Sequence, residues 1–413
     1  MKRSGIADLP LHYGHVPDWL ANRMTMMGRN ITTAIVQEFG QSEFLSRLSN
    51  PFWFQALGCV MGMDWHSSGI TTSVIGALKR AINPISGNLG LYVCGGRGKY
   101  SRQTPFEIEK ISEKTGLDST SLVTASKLSA KVDNTCVQDG FSLYLHGFFL
   151  SNKGEWAVVQ QGMNDLTSTA RRYHWHSATV KSFVDDPQSG IEGPNLGSIV
   201  NLSDSRSLKA RDSIVDFLKN HPEKQIKELR HLTMDRSHEV KPEHVDSKRL
   251  GAVLALAYEH QFTEFVDALM LPGVGPRTIQ ALSLVSEVIY GAPVRFEDPA
   301  RFSFAHGGKD GHPFPVPLKI YDESINIMKA AINKSRVDQS IKIDSLRKLH
   351  AFCLHVEKNY VPVANVGKVI DHEIKNSKQW GGRTVMDDEK ERMLRKKNTA
   401  SFPQVKQLSL FDE

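Results

Sequence analysis

The stretch Leu269-Met270-Leu271-Pro272-Gly273-Val274-Gly275-Pro276-Arg277-Thr278 constrains this chain more than any other. An amphipathic run, Phe262 to Met270, precedes it and another, Ile279 to Ile289, follows, which predicts two short helices joined by a tight hairpin. The two glycines are expected to turn at positive φ and to leave room for close approach. Pro276 suits the first turn of the second helix, where a missing N–H costs nothing. The hairpin amides and the positive helix end then face outward together, a site for one phosphate, with the charge of Arg277 beside it. A Pro-Gly helix connection alone is common. The combination of apolar residue, Pro, Gly, apolar residue, Gly, spacer, basic residue and apolar helix is narrower, and it predicts a helix-hairpin-helix holding a DNA backbone through Gly273, Val274, Gly275, Arg277 and Thr278. Such a motif holds phosphates without reading bases.

At 413 residues the chain is long enough for two or three domains, and 40% hydrophobic and 23% charged residues are ordinary for a soluble globular protein. A net charge of +6 suits a polyanionic partner without establishing one. Met1-Lys2-Arg3-Ser4-Gly5, followed by Asp8, Pro10 and His12, has no signal-peptide core, and no run is long enough to span a bilayer, so no membrane partner is expected. Cys59, Cys94, Cys136 and Cys353 form no metal-type pair and read as reduced, mostly buried thiols of a cytoplasmic protein.

Residues 17–48 carry apolar residues at helical spacing, and the aromatic cluster Pro51 to Gly58 should nucleate an N-terminal core. Asp64 and His66 follow on a loop with Ser67, Ser68 and Gly69, before a helix from Thr71 to Ala81. That junction could hold a metal or phosphate, or Ser67 or Ser68 could simply cap the helix. Leu89 to Val93 reads as a buried strand ending in Gly95-Gly96-Arg97-Gly98-Lys99. This is no Walker loop, because Val93 stands at the first Gly position and Tyr100 follows Lys99; it remains either a phosphate contact or a solvated turn. Thr104-Pro105-Phe106-Glu107 has the form of a capping box opening a helix to Thr115.

Phe141 to Leu150 alternates, Asn152-Lys153-Gly154 turns, and Trp156 to Gln160 returns, predicting a β-hairpin. Asp133 and Asp139 precede the first strand, and Arg171-Arg172-Tyr173-His174-Trp175-His176 interleaves basic, aromatic and imidazole groups. Phosphodiester hydrolysis commonly needs carboxylates holding Mg2+ or Mn2+, with a base for water and a cation for the phosphate. Asp64, Asp133 and Asp139 are the candidate metal ligands, His66 or His174 the candidate acid or base, and Arg171 or Arg172 the candidate charge stabiliser. Taken singly, each is more commonly a surface or hydrogen-bonded structural residue.

Residues 185–200 mark the edge of this domain, Ser207 to Leu229 is helical and charged, and Met234 to Lys248 reads as a linker. Beyond the hairpin, Phe296 to Pro313 is too rich in Gly and Pro for regular structure. DNA glycosylases of the helix-hairpin-helix class keep an aspartate a little beyond the hairpin, and Asp298 is the nearest equivalent. The lyase lysine of their bifunctional members would fall at Arg277, which cannot form a Schiff base. Near the C-terminus, Gln407-Leu408-Ser409-Leu410-Phe411 is similar to the peptide by which bacterial polymerases and repair proteins dock on the sliding clamp. The alternative is a short apolar tail packed on its own domain.

His12 to Pro17, Pro51 to Thr72, Lys131 to Gly140, Trp156 to Asn164, Arg171 to Trp175, the hairpin and Asp298 to Pro313 together resemble the prokaryotic family known as domain of unknown function 763, over roughly residues 5–335. The resemblance implies an N-terminal domain joined to a helix-hairpin-helix domain and carries no settled activity. The expected architecture is an α/β or α+β N-terminal domain with a mixed or antiparallel sheet, and an all-α C-terminal domain. Its parts are a catalytic domain over 1–200, a helical linker over 201–249, the helix-hairpin-helix over 250–335, a charged helical extension over 336–400 and a tail over 401–413. The expected activity is cleavage of branched, bulged or distorted DNA in repair. A non-enzymatic DNA-binding adaptor recruited to the sliding clamp and a DNA glycosylase are the alternatives.

Overall fold

Two antiparallel hairpins in succession put the strands of this chain side by side in sequence order. The computed structural model describes residues 16–63, 69–167, 169–193, 195–225, 247–260 and 262–300, with the short pieces 316–317, 375–376, 379 and 382–383. The chain divides into one unit of residues 1–13 and 25–308 and another of residues 14–24 and 309–413. In the second, Val316–Pro317 pairs antiparallel with Gly382–Arg383.

The first unit is built on strands β1 (Leu91–Arg97), β2 (Ser142–Ser151), β3 (Trp156–Asn164), β4 (Thr169–His176) and β5 (Gly190–Glu192), all antiparallel in the order β1-β2-β3-β4-β5. The N-terminal part is therefore α+β, and the mixed-sheet alternative falls. Helices α1 (Asp18–Leu48, broken by non-helical backbone at Gly40, φ +85°), α2 (Pro51–Val60), α3 (Gly69–Ile82) and α4 (Ser86–Leu89) precede the sheet in sequence. Asn50 caps α2 by accepting from the amides of Phe52 and Trp53. Helices α5 (Thr104–Thr115) and α6 (Ser119–Thr135) lie between β1 and β2. The capping box expected at Thr104 does not form: the Thr104 hydroxyl donates to the Ser101 carbonyl, and Glu107 is drawn away to Lys79 and the Gly95 amide.

Strand alternation assigns the sheet two faces. On one, Gly147 and Gln161 lie against Ile75 and Thr71 of α3. On the other, His146, Gln160 and Trp175 meet Ser126 and Asp133 of α6. Past the sheet come α7 (Leu208–Leu218), α8 (Ser247–His260), α9 (Phe265–Met270) and α10 (Pro276–Val288). They are bracketed by a short antiparallel pair, β6 (Val200–Asn201) with β7 (Arg295–Phe296). The apolar residues of these helices, among them Phe217, Leu254, Leu269, Ile279 and Leu282, share one core with Val132, Phe148, Val158 and Trp175. Helices α9 and α10 bury their apolar faces against α6 and α7. Most of the stretch 234–248 read as a linker lies outside the described residues, as does nearly all of the chain beyond 300, including residues 301–315 and 318–335 of the expected helix-hairpin-helix domain. Buried Cys94 and Cys136 have thiols that burial pushes up to about 12, so they pack as small apolar groups.

Candidate functional site

Among the described residues, the acids and bases singled out in the sequence lie in two separate buried layers, one on each face of the sheet. Asp133 is on α6, and its carboxylate accepts from Trp175 Nε1 at 2.7 Å, Gln188 Nε2 at 2.7 Å and Gln160 Nε2. Burial outweighs these three donors and pushes the carboxyl up to about 7. Asp139, in the turn before β2, accepts from Arg171 at 2.9 Å, the Tyr173 hydroxyl at 2.6 Å and the Phe141 amide at 3.0 Å. Arg171 grips Asp298 with both Nη atoms, at 3.1 and 2.7 Å. Burial alone would lower the guanidinium, but Asp139, Tyr173 and Asp298 outweigh it and hold it charged. Asp298 further accepts from the amides of Leu196 at 2.7 Å and Ala300 at 2.9 Å, so the aspartate beyond the hairpin is fully spent on this tie.

His174 and Arg172 point the other way. The neutral ring of His174 donates from Nδ1 to the Leu48 carbonyl at 2.9 Å and accepts from Arg172 Nε at 2.9 Å. Burial and the Arg172 charge hold it well below the usual histidine value. Arg172 also donates to Gln55 at 2.9 Å, pairs with Glu192 and lies over the Phe54 ring. His174 is therefore separated by the sheet from Asp133 and Asp139, the residues it was expected to join, because positions 171, 173 and 175 of β4 face α6 and positions 172 and 174 face away. Asp64 and His66 lie outside the described residues.

Asp133 and Asp139, the two described members of the expected ligand set, do not present free oxygens to Mg2+ or Mn2+. Hard divalent cations are held by several oxygens, whereas Asp133 and Asp139 already accept from N–H and O–H groups, and Arg171 puts a full charge against one of them. Among the described residues no three His, Cys, Asp or Glu side chains converge to hold a metal. One polar chain went unnoticed in the sequence: Ser126 Oγ lies 2.9 Å from His146 Nε2, and His146 Nδ1 lies 2.7 Å from Gln160 Oε1, which leads to Asp133. Its signal was a histidine and a glutamine at positions that pair across the β2–β3 hairpin. Ser126 is 3% exposed and burial pushes His146 down to about 4, so the chain is a core network rather than an open nucleophile.

The α9–α10 turn is the contrasting case. Gly273 has φ +88°, in the left-handed region, but Gly275 is extended at φ −143°, so only one of the two glycines meets the backbone demand expected of both. Val274 is buried between them in the core, and Arg277 is exposed with no ion pair among the described residues. Two side chains hold the turn from the protein side: Lys131 Nζ donates to the Val274 carbonyl at 2.6 Å and Gln138 Nε2 to the Pro276 carbonyl at 3.1 Å. In a trans peptide the C=O and the following N–H point in opposite directions. With no cis bonds among the described residues, the amides of Gly275 and Arg277 therefore point away from Lys131 and Gln138. A Cβ built on Gly275 meets nothing within 4 Å, so the space beside that residue is open. The first α-helical bond, Ile279 N to Gly275 O, comes after the amides of Arg277 and Thr278.

A buried antiparallel scaffold carrying an exposed helix–helix turn is a class of architecture and not an activity. The chain belongs to the family described as protein of unknown function (DUF763), whose model matches residues 5–316. No curated protein and no solved structure gives a significant match. No helix among the described residues is long and apolar enough to cross a membrane.

Proposed function

We propose that this chain binds duplex DNA by its sugar-phosphate backbone, without base preference, through Gly273, Gly275, Arg277 and Thr278, and that the sheet domain is the frame holding that turn. The observation that carries the reading is the opposed setting of the turn: carbonyls anchored inward by Lys131 and Gln138, amides and Arg277 outward. A net charge of +6 favours the encounter with a polyanion. Adaptor function is preferred to phosphodiester hydrolysis because Asp133, Asp139, Arg171 and His174 are already engaged by internal partners. Base excision is disfavoured on the same ground, since Asp298 is clasped by Arg171.

Fluorescence anisotropy of the full chain with a labelled duplex, measured across a salt series, tests this. Arg277→Ala is expected to weaken binding about tenfold and to reduce the slope of log affinity against log salt by about one phosphate's worth. No duplex binding at low salt would overturn the reading, and cleavage of branched or bulged duplexes with Mg2+ or Mn2+ would restore the hydrolytic one.

A sliding clamp is the proposed second partner, on the strength of Gln407-Leu408-Ser409-Leu410-Phe411, which lie outside the described residues. Removing residues 407–413 should abolish clamp pull-down and leave duplex affinity unchanged; retained pull-down would refute the assignment.

A further inference from the structure

The edge strand β1 runs out into a turn that plays no part in the duplex grip, Gly95-Gly96-Arg97-Gly98-Lys99-Tyr100-Ser101-Arg102. The turn is built rather than loose. Gly95, Gly96 and Gly98 have φ of +85°, +142° and +59°, and a Cβ on Gly95 would come within 2.2 Å of the His146 carbonyl oxygen. Behind it, Lys79 donates to the Gly95 carbonyl at 2.8 Å and Glu107 accepts from the Gly95 amide at 2.6 Å, the two side chains being paired with each other at 2.7 Å.

What this fixed turn carries outward is unusual in two respects. Arg97, Lys99 and Arg102 are all exposed, and none makes an ion pair among the described residues; Glu107, the nearest carboxylate in sequence, is spent on Lys79. Two large aromatic rings are also exposed there, Tyr100 in the turn at 51% and Phe106 in the adjoining first turn of α5 at 66%. The charges are already set against rings, with the Lys99 ammonium 5.5 Å from the Tyr100 ring centre and the Arg97 guanidinium 5.8 Å from that of Tyr144.

We propose that this turn is a binding surface for an unpaired nucleic-acid strand, with its phosphates against Arg97, Lys99 and Arg102 and its bases stacked on Tyr100 and Phe106. Cations answer the backbone charge, and bare rings answer the faces of bases, which a duplex keeps stacked on one another. An acidic peptide would satisfy the cations and leave both rings uncovered. This surface is distinct from the α9–α10 turn, and its role stands whether or not that turn holds duplex DNA.

The test is anisotropy of the full chain with labelled oligo(dT), oligo(rU) and a duplex of the same length. Tyr100→Leu with Phe106→Leu, which keeps apolar bulk and removes the rings, should weaken single-strand binding roughly tenfold or more and leave duplex binding unchanged. Tyr100→Trp should retain it. Replacing Arg97, Lys99 and Arg102 by Gln should weaken single-strand binding and flatten its salt dependence. Preference between oligo(dT) and oligo(rU) tells DNA from RNA as the source of the strand. Absence of single-strand binding by the unaltered chain, or equal loss for single strand and duplex in the Leu variant, would overturn the proposal. Thermal unfolding of each variant guards against misfolding, and Arg277→Ala, expected to weaken duplex binding alone, separates this surface from the other.

Discussion

Arg171→Met is expected to destabilise the fold by about 3–5 kcal/mol, enough to lower the thermal midpoint by roughly 10 °C. The guanidinium is the only charge balancing Asp139 and Asp298 in their shared buried layer among the described residues, and all three side chains are almost wholly removed from solvent. Removing it strands two carboxylates in a medium that penalises charge, while Asp139 keeps only Tyr173 and the Phe141 amide. The damage should spread, because Asp298 also receives the amides of Leu196 and Ala300 and so fastens the segment after β7 to the sheet. Arg171→Lys keeps the charge but cannot grip Asp298 with two parallel bonds, and an intermediate loss is expected. Denaturant or thermal unfolding measures this directly. A loss below about 1 kcal/mol for Arg171→Met would mean that the tie contributes no more than an exposed ion pair.

Asp133→Asn is expected to alter how stability depends on pH more than stability itself. The Asp133 carboxyl ordinarily titrates at 3.8 and is pushed up to about 7 by burial. Between about pH 4 and 7 the folded chain keeps that proton while the unfolded chain has released it. Stability from this group is therefore present at low pH, falls as pH rises through the window, and is level above about 7. The full swing is on the order of 4 kcal/mol. The amide of the variant does not titrate, so its midpoint should rise relative to that of the unaltered chain between about pH 4 and 7. His146 and His174 act in the opposite sense, since burial pushes both down and stability is lost as pH falls below their unfolded value of 6.5. That loss is common to both proteins and cancels in the difference between them. A difference that does not change with pH would show Asp133 ionised throughout.

The helices and strands of the first unit were legible because their apolar periodicities are strong and their turns carry Gly and Asn. The predicted helix over 17–48 and the hairpin around Asn152-Lys153-Gly154 correspond to α1 and β2–β3. The segment Arg171–His176 was not legible as what it is. Basic and imidazole side chains interleaved with aromatics read as a surface built for phosphate, yet β4 is buried on both faces and sends alternate polar residues into two unconnected networks. Only the partners distinguish the two readings, and Asp139, Asp298, Gln55 and Glu192 lie 20 to 127 positions from the arginines they hold. The hairpin turn was legible as two helices with an outward Arg277, but its inward anchors, Lys131 and Gln138, are remote in sequence and could not be paired with it.

Hydrogen–deuterium exchange of the full chain with and without saturating duplex DNA reads the central claim at the atoms concerned. Peptides covering 271–279 should exchange more slowly in the complex, while those covering β2 to β4 keep their rates. Unchanged exchange over 271–279 in a sample where the DNA is demonstrably bound would place the contact elsewhere and contradict the account.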